Sequence, residues 1–145
     1  MRDSETVFST VVPSHPEAVE DAVLMWGSTP PYSKFKTETI VWRLLPAINR
    51  GKCFFHYQNG EMIGLTTWVF LTEEEGRTGT YYGPEAFARD GGDQLWVMDQ
   101  ILPAGKRQVI QAVRDLRTFF YDAYPEYPRV YAWRGPRSTS YPNKG

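Results

Sequence analysis

The 145-residue sequence predicts an α/β domain in which a mixed sheet carries helices on its faces. Three observations predict it. Asn59-Gly60 sits between two apolar, aromatic-rich runs, which is the strongest short signal for a hairpin. Residues 95–101 form a nearly continuous apolar run, followed by a Pro-Ala-Gly break, a helical pattern and a further strand. Two helical patterns precede the hairpin. The length fits one domain and is short for two ordinary ones.

In chain order, Ser14-His15-Pro16-Glu17 has the form of a capping box with proline in the first turn. Val19, Val23 and Trp26 follow at helical spacing and Gly27 supplies a stop, predicting a helix over 16–26. Ser28-Thr29-Pro30-Pro31-Tyr32 is then an extended loop, because two prolines oppose helix. A second helix spans 38–50 on the stripe Ile40, Leu44 and Ile48, with a kink or early end at Pro46 and a stop at Gly51. Strands 52–58 and 61–71 flank the Asn-Gly turn, and Gly64 marks a bulge or a close backbone approach. Residues 72–93 read as a long loop holding one short strand or turn of helix. The apolar strand 95–101 is expected to be covered on both faces. A helix over 106–124 carries Val109, Val113, Leu116 and Phe120 on one face and stops at Pro125. Residues 129–134 form a last strand. The first 13 residues are an extended end, and those after Gly135 a loose tail.

Composition narrows the function classes. The chain is 41% hydrophobic and 23% charged, as globular domains are, and aromatic residues reach 15%, which suits a large contact surface as well as a core. Such a chain buries about two-thirds of its unfolded surface and needs no disulfide or metal to form a core. The single cysteine, Cys53, excludes an internal disulfide and any multi-cysteine metal site, and its apolar surroundings predict an inert thiol. No run approaches a membrane span and the N-terminus lacks a signal-peptide core, so a soluble cytoplasmic protein is expected. Residues 105–145 carry a charge of +5 and the remainder −6. The basic third is either a dock for an acidic partner or a solvated helix face with a tail. Lys34 and Lys36 beside Tyr32 and Phe35 resemble a nucleic-acid contact, but the net charge of −1 argues against one.

Asp99 stands out chemically. It lies in Leu95-Trp96-Val97-Met98-Asp99-Gln100-Ile101, where a carboxylate must be paired, hydrogen-bonded or at an open edge. Burial would raise its pKa and suit it to proton transfer. A purely structural carboxylate is equally compatible with the pattern. Gly105-Lys106-Arg107 opens a helix with free N–H groups and cations, an arrangement that binds anions, although it lacks the Walker A pattern. His15 and His56 read as structural, and no metal-ligand spacing or Ser/His/Asp triad is present.

Residues 92–105, Gly-Asp-Gln-Leu-Trp-Val-Met-Asp-Gln-Ile-Leu-Pro-Ala-Gly, resemble the strand motif G-D-x-x-W-x-x-D-x-I-x-P-x-G of the RTX toxin-activating lysine acyltransferases, the haemolysin C-like proteins. Trp26-Gly27-Ser28-Thr29-Pro30 resembles their W-x-S-x-P, and Leu44-Leu45-Pro46-Ala47-Ile48 their V-L-P-A-I. The resemblance runs over about residues 20–137. It implies a GNAT-like fold with a mixed, mainly antiparallel central sheet flanked by helices. It also implies transfer of a fatty acyl group from acyl carrier protein to a lysine of a protoxin. The family's catalytic pair is a histidine shortly after W-x-S-x-P and the aspartate of the strand motif. Asp99 matches the aspartate, whereas Tyr32 stands where the histidine would be. Tyrosine, with a pKa near 10, does not take a proton at neutral pH as histidine does. It can act as a general acid toward a thiolate, or be activated by Asp99 or a lysine.

Two readings follow. In the first, the chain is an acyltransferase using acyl carrier protein or a coenzyme A thioester as donor, with no bound cofactor. Asp99 activates an amine, Tyr32 or Ser33 assists, and Gly105, Lys106 and Arg107 at the head of the basic segment hold the donor. In the second, it is an inactive member of the fold serving as a binding or assembly protein, such as a phage structural component. A homodimer is compatible with both.

Overall fold

The computed structural model describes residues 7–10, 17–29, 32–78, 83–89, 91–134 and 137–144. Six strands form one sheet in sequence order: β1 (Phe8–Thr10), β2 (Cys53–Gln58), β3 (Glu61–Leu71), β4 (Gln94–Ile101), β5 (Arg129–Arg134) and β6 (Arg137–Pro142). Neighbours are antiparallel except β4 and β5, which are parallel because helix α5 (Lys106–Ala123) crosses between them. Helices α1 (Ala18–Gly27), α2 (Thr37–Asn49), α3 (Glu73–Thr78) and α4 (Gly83–Ala88) are the other α-helices among the described residues. The mixed, mainly antiparallel sheet flanked by helices is the architecture expected.

The sheet separates two cores. On one face, Ala18, Ala22 and Trp26 of α1 and Ile40, Leu44 and Ala47 of α2 pack on Phe55, Leu65, Val69 and Trp96. On the other, Leu116 and Phe120 of α5 pack on Phe54, Trp68, Leu95 and Val97. Strand β4 is thus covered on both sides, as its unbroken hydrophobicity requires.

Local chemistry explains the elements. Asn59 (φ 52°) and Gly60 (φ 80°) form the tight turn of the β2–β3 hairpin, both in the left-handed region that this pair tolerates. Gly64 lies beside a bulge, since His56 pairs with Gly64 and Tyr57 with Met62. A Cβ on Gly64 would stand 2.6 Å from the Ile101 carbonyl oxygen, so both expectations for this glycine hold. Helix α2 ends in a Schellman motif: Gly51 (φ 67°) donates to Ile48 and Lys52 to Ala47.

Several boundaries and segments differ from the sequence reading. The first helix begins at Ala18, and its most buried stripe is Ala18, Ala22 and Trp26, with Val19 and Val23 beside it. Ser14, His15 and Pro16 lie outside the described residues, as do Pro30 and Pro31. Tyr32–Lys34 is a 3-10 turn instead of extended chain. Pro46 does not end α2, which runs on to Asn49. The expected loop 72–93 contains α3 and α4. Thr72 caps α3 through a reciprocal capping box, its hydroxyl accepting from Glu75 N–H (3.1 Å) and its N–H donating to Glu75 Oε1 (2.9 Å). The expected loose ends supply β1 and β6, the two edges of the sheet, because their backbone groups find partners on β2 and β5.

Candidate active site

A one-residue bulge creates the site. Along β4, Leu95 and Val97 face α5 while Trp96 lies on the opposite, α1–α2 side of the sheet, against Gly76 of α3. Continued alternation would turn Asp99 toward α5 as well. Instead Val97 pairs with Trp68 and Asp99 with Thr67, leaving Met98 as an extra residue. Asp99 is therefore brought to the α1–α2 face, where its backbone N–H donates to Thr67 Oγ1 at 3.1 Å. The β4–β5 ladder covers only Leu95–Val97 against Val130–Ala132, so the two strands part just before the bulge.

Asp99 is 5% exposed and meets two side chains on one oxygen. Arg43 Nη2 donates to Oδ1 at 2.6 Å, and Tyr32 OH donates to the same atom at 3.3 Å. Rings wall the cluster. Tyr32 stands edge-on to Trp26 (5.3 Å between centroids) and to Phe35 (5.7 Å). The Arg43 guanidinium lies 5.2 Å from the Phe35 centroid and 5.8 Å from that of Tyr32. The 3-10 turn aims Tyr32 inward, closed by Phe35 N–H on the Tyr32 carbonyl. Ahead of it, the Ser28 and Thr29 hydroxyls bond back to Leu24 and Met25 as α1 ends.

Burial sets the electrostatics. It pushes the Asp99 carboxyl above its ordinary range, and the charge and hydrogen bond of Arg43 pull back only in part. Tyr32 is pushed up to about 12, first by burial and then by the Asp99 charge. Asp99 thus raises the phenol instead of activating it, so Tyr32 is a proton donor at neutral pH. Cys53, fully buried beneath the site, is held as the thiol by burial, as expected.

The remaining predicted residues are placed apart. Ser33 is exposed on the same turn, whereas the Asp99 carboxylate it was expected to assist is buried. Gly105, Lys106 and Arg107 are exposed at the N-terminus of α5, where Gly105 is the N-cap with extended backbone. The apolar groove beside this helix lies farther along, about 630 Å³ in volume, floored by Val109, Val113 and Tyr141 and rimmed by Arg114, Arg117 and Lys144. His56 is fully buried on the α5 face, away from Asp99, as the structural reading expects. Among the described residues no three His, Cys, Asp or Glu side chains converge to hold a metal ion, and no helix is long and apolar enough to cross a membrane.

Arg43 is the site residue that the sequence reading missed. A signal was present: Arg43 falls on the buried stripe of α2, three residues after Ile40 and four before Ala47. A cation on an apolar stripe calls for a buried counter-charge, and Asp99 is one.

The sequence matches the model of the RTX toxin acyltransferase family, HlyC, over residues 14–127. The chain belongs to that family. No curated protein matches it by sequence. Among solved structures, it is similar to the loading GNATL domain of CurA from Lyngbya majuscula, with a TM-score of 0.61 and 11% identity. That match covers 88% of this chain and 64% of the other, so the chain spans just under two-thirds of that protein's length. It is also similar to an N-acetyltransferase from Staphylococcus aureus Mu50 (TM-score 0.52, 12% identity), over 88% of this chain and 72% of that one. The fold is therefore GNAT-like and the chain acyltransferase-like.

Proposed function

We propose that this protein transfers an acyl group from a thioester, carried on acyl carrier protein or coenzyme A, to a lysine or other amine of an acceptor protein in the cytoplasm. The observation that carries the reading is the Tyr32–Asp99 contact beside the point where β4 and β5 part. An amine attacks the thioester carbonyl, forming the N–C bond as the C–S bond breaks. Asp99, made more basic by burial, takes the amine proton, and Tyr32 gives its proton to the departing thiolate. Proton return from Asp99 to Tyr32 along their hydrogen bond restores both groups. The products are an amide and a free thiol.

The cationic rim of the α5–β6 groove suits the surface of an acidic carrier protein, and Lys106 and Arg107 at the head of α5 suit the carrier's phosphate. Incubation with acyl-carrier-protein and acyl-coenzyme A thioesters, read by mass spectrometry, tests the proposal. Thioester loss that vanishes in Asp99→Ala supports it. Absence of turnover with every donor, together with stable capture by a larger assembly, would favour the inactive binding protein. Arg114→Glu/Arg117→Glu and Lys106→Glu/Arg107→Glu separate the two parts of the dock. Unchanged carrier binding in both would remove it.

A further inference from the structure

The Asp99 site contains its own cation. Arg43 Nη2 is 2.6 Å from Asp99 Oδ1; the Arg43 side chain is 13% exposed, and its guanidinium is set against the rings of Tyr32 and Phe35. It reaches this position from a buried stripe anchored by Ile40, Leu44 and Ala47, so it is held by packing as well as by charge. Asp99 and Arg43 are the two charged groups that act on the Tyr32 hydroxyl. Their charges cancel. An ammonium ion entering here would lose its water and meet a carboxylate whose charge Arg43 already balances, whereas a neutral amine would lose far less.

We infer that Arg43 is a specificity-determining residue of this site: its guanidinium holds the cationic place beside Asp99, so the acceptor amine is taken as the free base and the ammonium ion is refused. The inference rests on the acyl-transfer reading of the site, but it concerns binding and is testable without turnover. The acceptor class is a primary amine that sheds its proton to water before it enters. Arg43 acts through Asp99 and is a positioning residue, since the amine does not react with it.

The test uses n-butylamine as the probe and follows the Asp99 carboxyl carbon and the Tyr32 ring by NMR in the whole protein. In wild type, the apparent affinity for total amine should rise about tenfold per pH unit between pH 7 and 9, following the free-base fraction of an amine with a pKa near that of lysine. Arg43→Lys keeps the charge and should show the same slope. Arg43→Gln frees the carboxylate and should bind butylammonium at pH 7 at least tenfold more tightly than wild type, with a flat pH dependence. Saturable binding of butylammonium by wild type at pH 7, a flat wild-type profile, or no binding at pH 9 would each overturn the inference. The wild-type and Arg43→Lys profiles decide it even where Arg43→Gln fails to fold. Selective amine binding without any thioester turnover would retain Arg43's role and remove the enzymatic reading instead.

Discussion

Asp99 and His56 are both buried polar side chains on neighbouring parts of one sheet, yet they are equipped in opposite ways. Asp99, on the α1–α2 face, has a cation at 2.6 Å, a phenol on the same oxygen and aromatic walls. His56, on the α5 face, is fully buried against Phe54, and its Nδ1 lies 2.7 Å from Ser9 Oγ. Ser9 donates to Asp115 at 3.3 Å, and Asp115 also accepts from Gln111 at 2.8 Å. A hydroxyl has one proton, so this chain runs from His56 Nδ1–H through Ser9 to Asp115. His56 Nε2 is then a bare acceptor with no hydrogen-bond partner among the described residues. The chain ties β1 to α5. In the proposed reaction one polar group exchanges protons, while the other stays neutral and holds an edge strand.

The largest expected effect tests the apolar side of this contrast. Phe120→Ala removes a fully buried ring that meets Trp68 at 5.2 Å and should cost about 3–5 kcal/mol by urea denaturation, while the folded fraction keeps the proposed acyl-transfer activity of wild type. A loss below about 1 kcal/mol would mean that α5 is loosely docked. Arg43→Met leaves a buried carboxylate without its cation and should cost about 3 kcal/mol, most of it recovered in Arg43→Met/Asp99→Leu. Equal stability of the single and double variants would show that the pair is not coupled.

Acid sharpens the comparison next. Burial lowers His56 to about 4 from its ordinary 6.5, so between these values the unfolded chain binds a proton that the folded chain refuses. Its contribution is therefore present above pH 6.5 and is lost as pH falls toward 4, by up to about 3 kcal/mol. Asp99, raised by burial, has the opposite sign: it takes up its proton more readily folded than unfolded, favouring the fold as acid is added. His56→Gln should flatten the loss of stability from pH 6.5 to 4, and Asp99→Asn should leave this slope at least as steep. Denaturation midpoints across that window check both signs. The smallest effect is Gly60→Ala at φ 80°, expected at about 1 kcal/mol with the site untouched.

What could be read from the sequence follows from where each signal resides. The hairpin, α5 and β4 carry their own chemistry: Asn59-Gly60 accepts left-handed backbone, Val109 to Phe120 repeats at helical spacing, and residues 95–98 are apolar without a break. Helix α3 was also legible, since Thr72-Glu73-Glu74-Glu75 is a capping box, but its short span hid it within an acidic loop. Strands β1 and β6 were not, because Phe8–Thr10 is only three residues long and Arg137–Pro142 presents a mostly exposed, polar edge with no buried alternation. Asp99 stood out as a carboxylate in an apolar strand, and family resemblance paired it with Tyr32. The direction it faces was hidden, because the Met98 bulge depends on the register with β3. Arg43 went unread for a related reason: its meaning appears only when α2 is laid over that bulge.

The most direct test of the division between these two groups is the rate of thioester loss in Asp99→Asn and His56→Gln, measured beside wild type with one acyl-carrier-protein donor. Asp99→Asn should slow turnover at least about hundredfold, the usual scale for losing a general acid or base, while His56→Gln stays within about threefold once its folded fraction is counted. Full activity in Asp99→Asn, or a hundredfold loss confined to His56→Gln, would place the chemistry on the wrong face of the sheet and contradict the account.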